Sequence, residues 1–447
     1  MFRGAKAGRT AIAVAPGHGD RPGTAATLFA YRVASEIVGK GAMLVLTVAA
    51  ARTLSSDGFG LFSLGSTAGW IGAVASDAGI QMHVARLVAR APSEAHAILR
   101  RWLRVRLWTA CAAVASIGLV SLAVAGASHA SGTVLVLAIY YALCSLVELT
   151  FHVFRGLSRT DLESSITIGQ RLSILLFGLA ALAVIPEPFA LGAALALPAA
   201  AVFLVSVTRA RTLASRAAAK DVEPSAIAVP SGRPLALELG TDVLPIGAGI
   251  VLSALYFRVD VLLLAEWIGT EAVATYSAVF RLVEALRLIP AAALAVAWPV
   301  LCRATSLRPL RALACVLTAG AVLVAVTLAL GGGRVISLLY GPQYEAGVPA
   351  FRILLLAFPL MALNYALTHQ LLGWNRHLPY AVICGAALVL NLALNARLIP
   401  ALSIDGAAWT TLATEALVTC GCLVVLLTGP NPARSTGAHP SHAVVAS

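Results

Sequence analysis

Long apolar stretches separated by short polar segments dominate the chain. Each of twelve such runs has the roughly 20 residues that a helix needs to cross a bilayer. The pattern therefore predicts an all-α polytopic membrane protein with about 12 transmembrane helices. The runs lie at 25–50, 61–83, 107–126, 132–154, 168–186, 190–208, 241–265, 273–299, 312–330, 349–372, 379–399 and 406–428.

The composition agrees with a membrane protein. Of the 447 residues, 59% are hydrophobic and 12% are charged, whereas a soluble domain carries about 25% charged residues. The formal net charge of +12 would suggest nucleic acid as a partner in a soluble protein. Here most basic residues lie in short loops between apolar runs, so we interpret the charge as a topology signal and expect no nucleic-acid binding.

The basic residues alternate from one loop to the next. If the N-terminus is cytoplasmic, the segments on the inner side hold 23 Lys and Arg residues. The loops on the outer side then hold only Arg52, Arg334 and Arg397. Because cytoplasmic loops of membrane proteins are enriched in Lys and Arg, this division predicts that both termini are cytoplasmic.

Two halves of the chain repeat the same pattern. The longest inner connection is charged and rich in Ala, Ser and Pro, and residues 51–63 align without gaps with residues 265–277. Both aligned segments lie at the outer turn between the first two helices of their half. We therefore expect two pseudo-symmetric six-helix lobes around a central cavity. The predicted segments are a cytoplasmic arm (1–24), a first lobe (25–208), a cytoplasmic linker (209–238), a second lobe (239–428) and a disordered cytoplasmic tail (429–447).

Eight charged residues within the apolar runs are the candidate functional groups. A charge at the centre of a membrane helix costs about 2.5–3.5 kcal/mol on insertion scales, so it persists where it has a partner, a water-filled cavity or a function. In the first run, three charges at four-residue spacing share one helix face. The others lie in the seventh and eighth runs. The full set is Arg32, Glu36, Lys40, Arg258, Asp260, Arg281, Glu284 and Arg287.

Basic residues outnumber acidic ones in this set, which favours an anionic ligand. Arginine suits phosphate groups because its guanidinium can donate two parallel hydrogen bonds. We predict that Arg32, Lys40, Arg258, Arg281 and Arg287 bind substrate. We predict that Glu36, Asp260 and Glu284 balance charge or couple transport to an ion. The alternative is that these charges form ion pairs that only hold helices together.

Other polar residues give weaker indications. Asp77, Asp242, Glu148 and Glu415 are candidates for proton or sodium coupling, or else carboxyl groups hydrogen-bonded between helices. Pro290 and Pro359 lie inside apolar runs and predict kinks. The sequence has no phosphate-binding P-loop, and its seven Cys residues show no metal-ligand spacing with His. We therefore expect no enzyme activity, metal or cofactor, apart from a possible proton or sodium gradient.

Several short motifs follow one another in an order that resembles a known family. Residues 339–344 read LYGPQY, residues 391–395 place two Asn four apart, and 404–408 read IDGAA. Arg258-x-Asp260 precedes Tyr276, and the first hairpin carries ARTL at 51–54. Together they resemble polysaccharide and O-antigen flippases of the multidrug/oligosaccharidyl-lipid/polysaccharide exporter superfamily. Gly347 stands where that family often has Ala.

The resemblance implies both a fold and a substrate. The fold would be the two-lobe bundle of multidrug (MATE-like) exporters. The function would be alternating-access flipping of a polyprenyl-diphosphate oligosaccharide, an O-antigen or exopolysaccharide unit, across the bacterial inner membrane. Membrane lipids and other envelope polysaccharide assembly proteins would be its partners. The alternatives are a cation-coupled multidrug or small-molecule exporter of the same fold, a membrane-embedded glycan polymerase or ligase, and a non-transporting scaffold.

Overall fold

The computed structural model describes residues 22–220, 234–304 and 306–428, and within these ranges it contains helices and no strand. Two 3₁₀ turns, Pro92–Glu94 and Pro342–Gly347, and a π-helical turn, Leu239–Val243, interrupt or join the α-helices. The α-helices are α1 (Pro22–Thr53), α2 (Ser56–Asp77), α3 (Ile80–Arg90), α4 (Ala95–Ala125), α5 (His129–Gly156), α6 (Thr160–Val184), α7 (Pro188–Lys220), α8 (Leu235–Glu238), α9 (Leu244–Trp267), α10 (Thr270–Leu286), α11 (Leu288–Arg303), α12 (Arg308–Tyr340), α13 (Val348–Gly373), α14 (His377–Leu402) and α15 (Ile404–Thr428).

Every predicted apolar run lies on these helices. Within the described residues, ten stretches are long and apolar enough to cross a membrane. They cover all the runs except the first, on α1, and the eighth, which is divided between α10 and α11. These two runs carry six of the eight candidate charges, and the eighth run is divided into helices of 17 and 16 residues.

The division of the eighth run follows from Pro290. Proline has no N–H to donate, and its ring clashes with the carbonyl of the residue four positions earlier. That residue is Leu286, and α10 ends there. The predicted kink is therefore confirmed, in the form of a helix break around Arg287. Pro359, in contrast, lies inside the continuous helix α13.

A second break, between α2 and α3, departs from the prediction of one continuous run at 61–83. Ala78 (φ 42°) and Gly79 (φ 90°) have left-handed backbone conformations that end α2. The carboxylate of Asp77 accepts hydrogen bonds from the N–H groups of Gly79 and Gln81, both at 3.2 Å. The side chain thus satisfies amide donors that a helix start leaves free.

Helix packing repeats between the two halves of the chain. In the first half, α1 packs on α6, α2 on α5, α5 on α7, and α6 on α7. In the second half, α9 packs on α14, α10 on α13, α13 on α15, and α14 on α15. The second set is the first displaced by six predicted spans, as expected for two pseudo-symmetric lobes.

The short sequence repeat marks the same symmetry. The first helix of the first lobe ends at Thr53 and the next begins at Ser56. The corresponding helices of the second lobe end at Trp267 and begin at Thr270. These residues occupy equivalent positions in the alignment of 51–63 with 265–277. We call this end of the bundle the outer end and the end with the basic loops the inner end, following the predicted orientation.

The predicted segments outside the lobes are described only in part. Helix α7 continues to Lys220 and so includes the start of the predicted linker at 209–238. Residues 221–233 lie outside the described ranges, and Glu238 ends the short helix α8. The predicted arm up to residue 21 and the tail at 429–447 also lie outside the described residues.

Candidate functional site: a cationic cluster at the lobe seam

The two lobes touch at the outer end of the bundle through their equivalent turns. The hydroxyl of Thr270 donates a hydrogen bond to Asp57. Gly60 lies so close to α10 that a Cβ there would be 1.9 Å from the Thr270 carbonyl oxygen. The hydroxyl of Tyr344, from the LYGPQY motif, donates to the carbonyl oxygen of Ala51 at 3.1 Å. This part of the motif therefore holds the second lobe against the first.

The lobes also touch at the inner end. A Cβ on Gly247 of α9 would lie 1.7 Å from the carbonyl oxygen of Ala78, at the α2–α3 break. Beside it, the buried carboxylate of Glu238 lies 2.7 Å from Nε2 of His83 and 2.8 Å from Nη2 of Arg101. Glu238 ends α8, directly before the second lobe, whereas His83 and Arg101 belong to the first lobe. Both ends of the seam are thus in contact in this structure.

Glu284 on α10 organises a cluster of charges beside the seam. Its Oε2 accepts hydrogen bonds from Arg258 on α9 at 2.6 Å and from Arg281 at 3.1 Å. Arg258 is only 4% exposed, and its guanidinium lies 4.4 Å from the ring centre of Phe280. The side chains of Glu284 and Arg281 remain 34% and 28% exposed. The cluster therefore combines one buried cation with a carboxylate and a cation that are accessible.

A third cation, Arg287, lies close enough to interact electrostatically with Glu284. It stands at the break between α10 and α11, and its guanidinium faces the ring of Phe257 at 4.5 Å. Within the described ranges no carboxylate forms an ion pair with it. Arg281 also lies near the hydroxyl of Tyr141 on α5, in the opposite lobe. Two guanidinium groups thus bind the carboxylate of Glu284, a third lies nearby, and that of Arg281 also adjoins the opposite lobe.

Asp260 has a different environment. It is 2% exposed and accepts hydrogen bonds from the hydroxyl of Tyr276 and, at 2.8 Å, from the N–H of Val261. The same hydroxyl lies 3.3 Å from that of Thr411 on α15. Although Asp260 follows Arg258 by two residues, Arg258 forms its ion pair with Glu284. Asp260 therefore ties three helices of the second lobe together.

The predicted charges on α1 are only partly described. The side chains of Arg32 and Glu36 lie outside the described residues. Lys40 lines a cavity of about 210 Å³ in the first lobe. Its described lining comes from α1, α5 and α6 and includes Glu148, Arg155 and Arg171. The structure thus brings Arg258, Arg281, Glu284 and Arg287 together, while the role of Lys40 remains a prediction.

The candidates for ion coupling have distinct partners. Asp77 forms an ion pair with Arg106, with Nε and Oδ1 3.4 Å apart. Glu415 accepts a hydrogen bond from the side-chain amide of Asn364 on α13 at 2.7 Å. Glu148 lines the cavity of Lys40, and Asp242 is half-buried. In the described part of the chain, no group of three His, Cys, Asp or Glu side chains could hold a metal ion.

Arg106 is a residue that sequence reasoning misplaced. Its position before the apolar run at 107–126 assigned it to an inner loop, but it lies within α4 and is 0% exposed. It donates hydrogen bonds to the hydroxyls of Ser76 at 3.0 Å and Ser145 at 2.7 Å. Nothing in the sequence around these two serines indicated that they would converge on one guanidinium.

The fold and the seam between the lobes define a multi-pass membrane protein of the transporter and flippase class. A sequence profile described as "Polysaccharide biosynthesis protein" matches residues 28–305. The chain belongs to this polysaccharide biosynthesis protein family. No curated protein sequence matches the chain.

Several solved structures share the fold of this chain. The lipid II flippase MurJ, in an inward closed conformation, has a TM-score of 0.67 and 12% sequence identity, covering 90% of this chain and 88% of its own. The MATE multidrug transporter DinF-BH has a TM-score of 0.63 and 12% identity, covering 94% and 98%. A MOP superfamily transporter from Pyrococcus furiosus has a TM-score of 0.58 and 14% identity, covering 90% and 94%. At these identities the likeness establishes the fold.

Proposed function

We propose that the protein flips a polyprenyl-diphosphate-linked oligosaccharide across the bacterial inner membrane, with both termini cytoplasmic. The observation that carries the proposal is the cluster of Arg258, Arg281 and Arg287 around the single carboxylate of Glu284. This surplus of guanidinium groups suits a diphosphate, whose oxygens accept paired N–H donors. The family's role in polysaccharide biosynthesis and the fold shared with a lipid II flippase support the choice of a lipid-linked substrate.

In this proposal the arginines have different tasks. Arg281 and Arg287 bind the diphosphate, because Arg281 is accessible and Arg287 forms no ion pair with the described carboxylates. Arg258 is buried and anchors Glu284, which holds Arg281 in position. The charges of α1, Arg32 and Lys40, extend the cationic surface, and Glu36 and Asp260 balance charge or couple flipping to protons or sodium. Other envelope polysaccharide assembly proteins are the expected partners.

Alternating access requires each end of the seam to open in turn. The outer contacts are a glycine packed on a carbonyl and hydrogen bonds from Thr270 and Tyr344. At the inner end, Gly247 packs on Ala78, and Glu238 contacts His83 and forms an ion pair with Arg101. We infer that the headgroup crosses between the lobes while the polyprenyl tail stays in lipid. The charged headgroup thereby avoids the several kcal/mol that exposure to hydrocarbon costs.

The test is translocation of a fluorescent polyprenyl-diphosphate oligosaccharide in proteoliposomes. We expect the wild-type protein to transport it and Arg281→Ala to lower the rate roughly ten- to hundredfold, the value of one charge-assisted hydrogen bond. Arg32→Ala is expected to act in the same direction. Arg397→Ala removes an exposed arginine far along the chain from the cluster and should leave transport unchanged.

Two outcomes would contradict the proposal. Equal losses in Arg397→Ala and Arg281→Ala would show a general effect of surface charge. If the wild-type protein moved no lipid-linked sugar but exported an apolar cationic dye, the protein would be a drug exporter. The surplus of arginine at the seam argues against that function, because it repels a cation.

A further inference from the structure

Two of the three arginines on the outer side of the protein meet in one groove. The charge alternation leaves Arg52, Arg334 and Arg397 on that side. Arg52 stands in the last turn of α1, in the first lobe, and Arg334 lies on α12, in the second. They line a common open groove of about 840 Å³. The groove thus brings together one arginine from each lobe, 282 positions apart in the sequence (334 − 52).

The groove lies across the seam between the lobes. Nη2 of Arg52 donates a hydrogen bond to the carbonyl oxygen of Leu338, at 3.3 Å, near the C-terminal end of α12. This contact holds the guanidinium of Arg52, from the first lobe, beside helix α12 of the second lobe, which carries Arg334. The rest of the described lining is Gly333, Ser337, Glu345 and Val348. Two guanidinium groups thus face one carboxylate, and Arg334 forms no ion pair with it.

The groove also opens toward the lipid. Arg334 continues a stripe of α12 on which Leu323, Leu330 and Leu338 are 68%, 85% and 75% exposed. Arg334 and these three leucines are spaced seven, four and four residues apart (323, 330, 334, 338), so all four lie on one helix face. Apolar side chains this exposed on a spanning helix face hydrocarbon. Arg334 lies six residues before the helix end at Tyr340, about 9 Å along the axis at 1.5 Å per residue.

An arginine at this depth reaches the level of the lipid headgroups. Long basic side chains near helix ends extend their charge to the interface while their carbon chains stay in apolar surroundings. The charged groups found at that level are lipid phosphates, and guanidinium binds phosphate oxygens with paired hydrogen bonds. The groove also contains the guanidinium of Arg52 from the opposite lobe, the hydroxyl of Ser337 and the apolar side chains of Leu338 and Val348.

We propose that Arg52 and Arg334 form a binding site for the phosphate headgroup of a lipid in the outer leaflet, at the seam between the two lobes. The site lies apart from the Glu284 cluster. The headgroup is either the diphosphate of the lipid-linked product after flipping, an identification that rests on the proposed function, or that of an anionic phospholipid. Glu345 limits the affinity, because its carboxylate repels the phosphate across the same groove.

Photo-crosslinking tests the site without requiring transport. The purified full-length protein is placed in phosphatidylcholine nanodiscs with a photoactivatable polyprenyl diphosphate, phosphatidylglycerol or phosphatidylcholine, and the adducts are mapped by mass spectrometry. We expect labelling of the segment 333–348 by one or both anionic probes. The double variant Arg52→Gln/Arg334→Gln should lower this labelling roughly three- to thirtyfold, the value of two exposed charge pairs.

Two further variants test whether labelling changes with the charge of the groove and whether the change is specific to it. Glu345→Gln should increase the labelling, because it removes the repulsive carboxylate. Arg397→Gln removes the third outer arginine, which does not line the groove, and should leave labelling unchanged. Opposite changes in the arginine and glutamate variants cannot arise from a general loss of folding.

The probes also identify the source of the phosphate. Preference for the polyprenyl diphosphate supports a product site, and equal labelling by phosphatidylglycerol supports a site for anionic lipids in general. Equal labelling by phosphatidylcholine, or labelling that survives the double variant, would overturn the proposal. Because nanodiscs need no translocation, loss of flipping activity in proteoliposomes with retained labelling would refute the proposed function and leave this site standing.

Discussion

The two lobes each contain an arginine bound to carboxylate, but in opposite settings. In the first lobe, Arg106 is fully buried and faces Asp77, Ser76 and Ser145. One cation meets one carboxylate, and the two hydroxyls accept further N–H groups. In the second lobe, Glu284 receives both Arg258 and Arg281 and is 34% exposed. Here cations exceed carboxylates, and part of the cluster is accessible.

The difference separates a structural charge from a functional one. A buried, balanced pair contributes little net stability, but breaking it leaves an uncompensated charge in a low-dielectric interior. An accessible, unbalanced cluster can exchange one of its partners for a ligand. The presence of a charge within a span therefore says little about function. The ratio of cations to carboxylates and the solvent exposure of the charged side chains say more.

The largest effect on stability is expected for Asp77→Ala. The variant leaves the guanidinium of Arg106 buried without its carboxylate, which typically costs about 3–5 kcal/mol. It also removes the side chain that receives the N–H groups of Gly79 and Gln81. Thermal unfolding of the purified protein in detergent measures the change. Adding Arg106→Met to the variant should recover part of the loss, and a wild-type melting temperature for Asp77→Ala alone would show that the pair is not structural.

A smaller effect is expected for Glu284→Ala. Arg258 then loses its hydrogen-bond acceptor and keeps only its contacts with Phe257 and Phe280. An unsatisfied buried donor costs about 1–3 kcal/mol, and the accessibility of the cluster lets water replace part of the carboxylate. The control is Glu284→Gln, which keeps an acceptor for Arg258 and should unfold closer to the wild type. A loss as large as that of Asp77→Ala would remove the distinction between the two clusters.

The sequence predicted the fold well for physical reasons. A bilayer fixes the length and apolarity of each span, and the loops carry the orientation in their charge. Pro290 even indicated the break in the eighth run. The α2–α3 break was not predictable in the same way, because Asp77, Ala78 and Gly79 read as part of an apolar run. Ala78 and Gly79, which adopt left-handed conformations, pack closely against Gly247, which lies far along the chain.

The structure brings four of the eight predicted charges together, but the sequence did not indicate how they pair. Arg258 and Asp260 carry opposite charges and lie two residues apart. Side chains at that spacing point to different sides of a helix, and the partner of Arg258 is Glu284 on another helix. Arg106 was placed in a loop because it precedes an apolar run, and only the fold shows Ser76 and Ser145 beside it. A single sequence identifies charges, but their partners depend on how the helices pack.

Arg281→Ala tests whether accessibility makes a charge dispensable for stability. Glu284 keeps its bond to Arg258, and a side chain that is 28% exposed loses little solvation energy in the fold. We expect the free energy of unfolding to change by less than about 1 kcal/mol, whereas flipping falls as described above. Circular dichroism during heating measures the first quantity and the proteoliposome assay the second. Parallel losses of stability and transport would mean that Arg281 is a structural residue.

The smallest effect is expected for Arg159→Ala, which removes an ion pair of similar geometry without burial. Arg159 donates to the Asp161 carboxylate at 2.7 Å near the inner end of α6, and both side chains are more than 40% exposed. Exposed pairs contribute about 0–1 kcal/mol, and salt screens them. The small difference from the wild type should therefore vanish in molar salt, while the loss caused by Asp77→Ala persists because the interior excludes the ions. If both variants responded equally to salt, burial would not be the property that distinguishes the Arg106 pair.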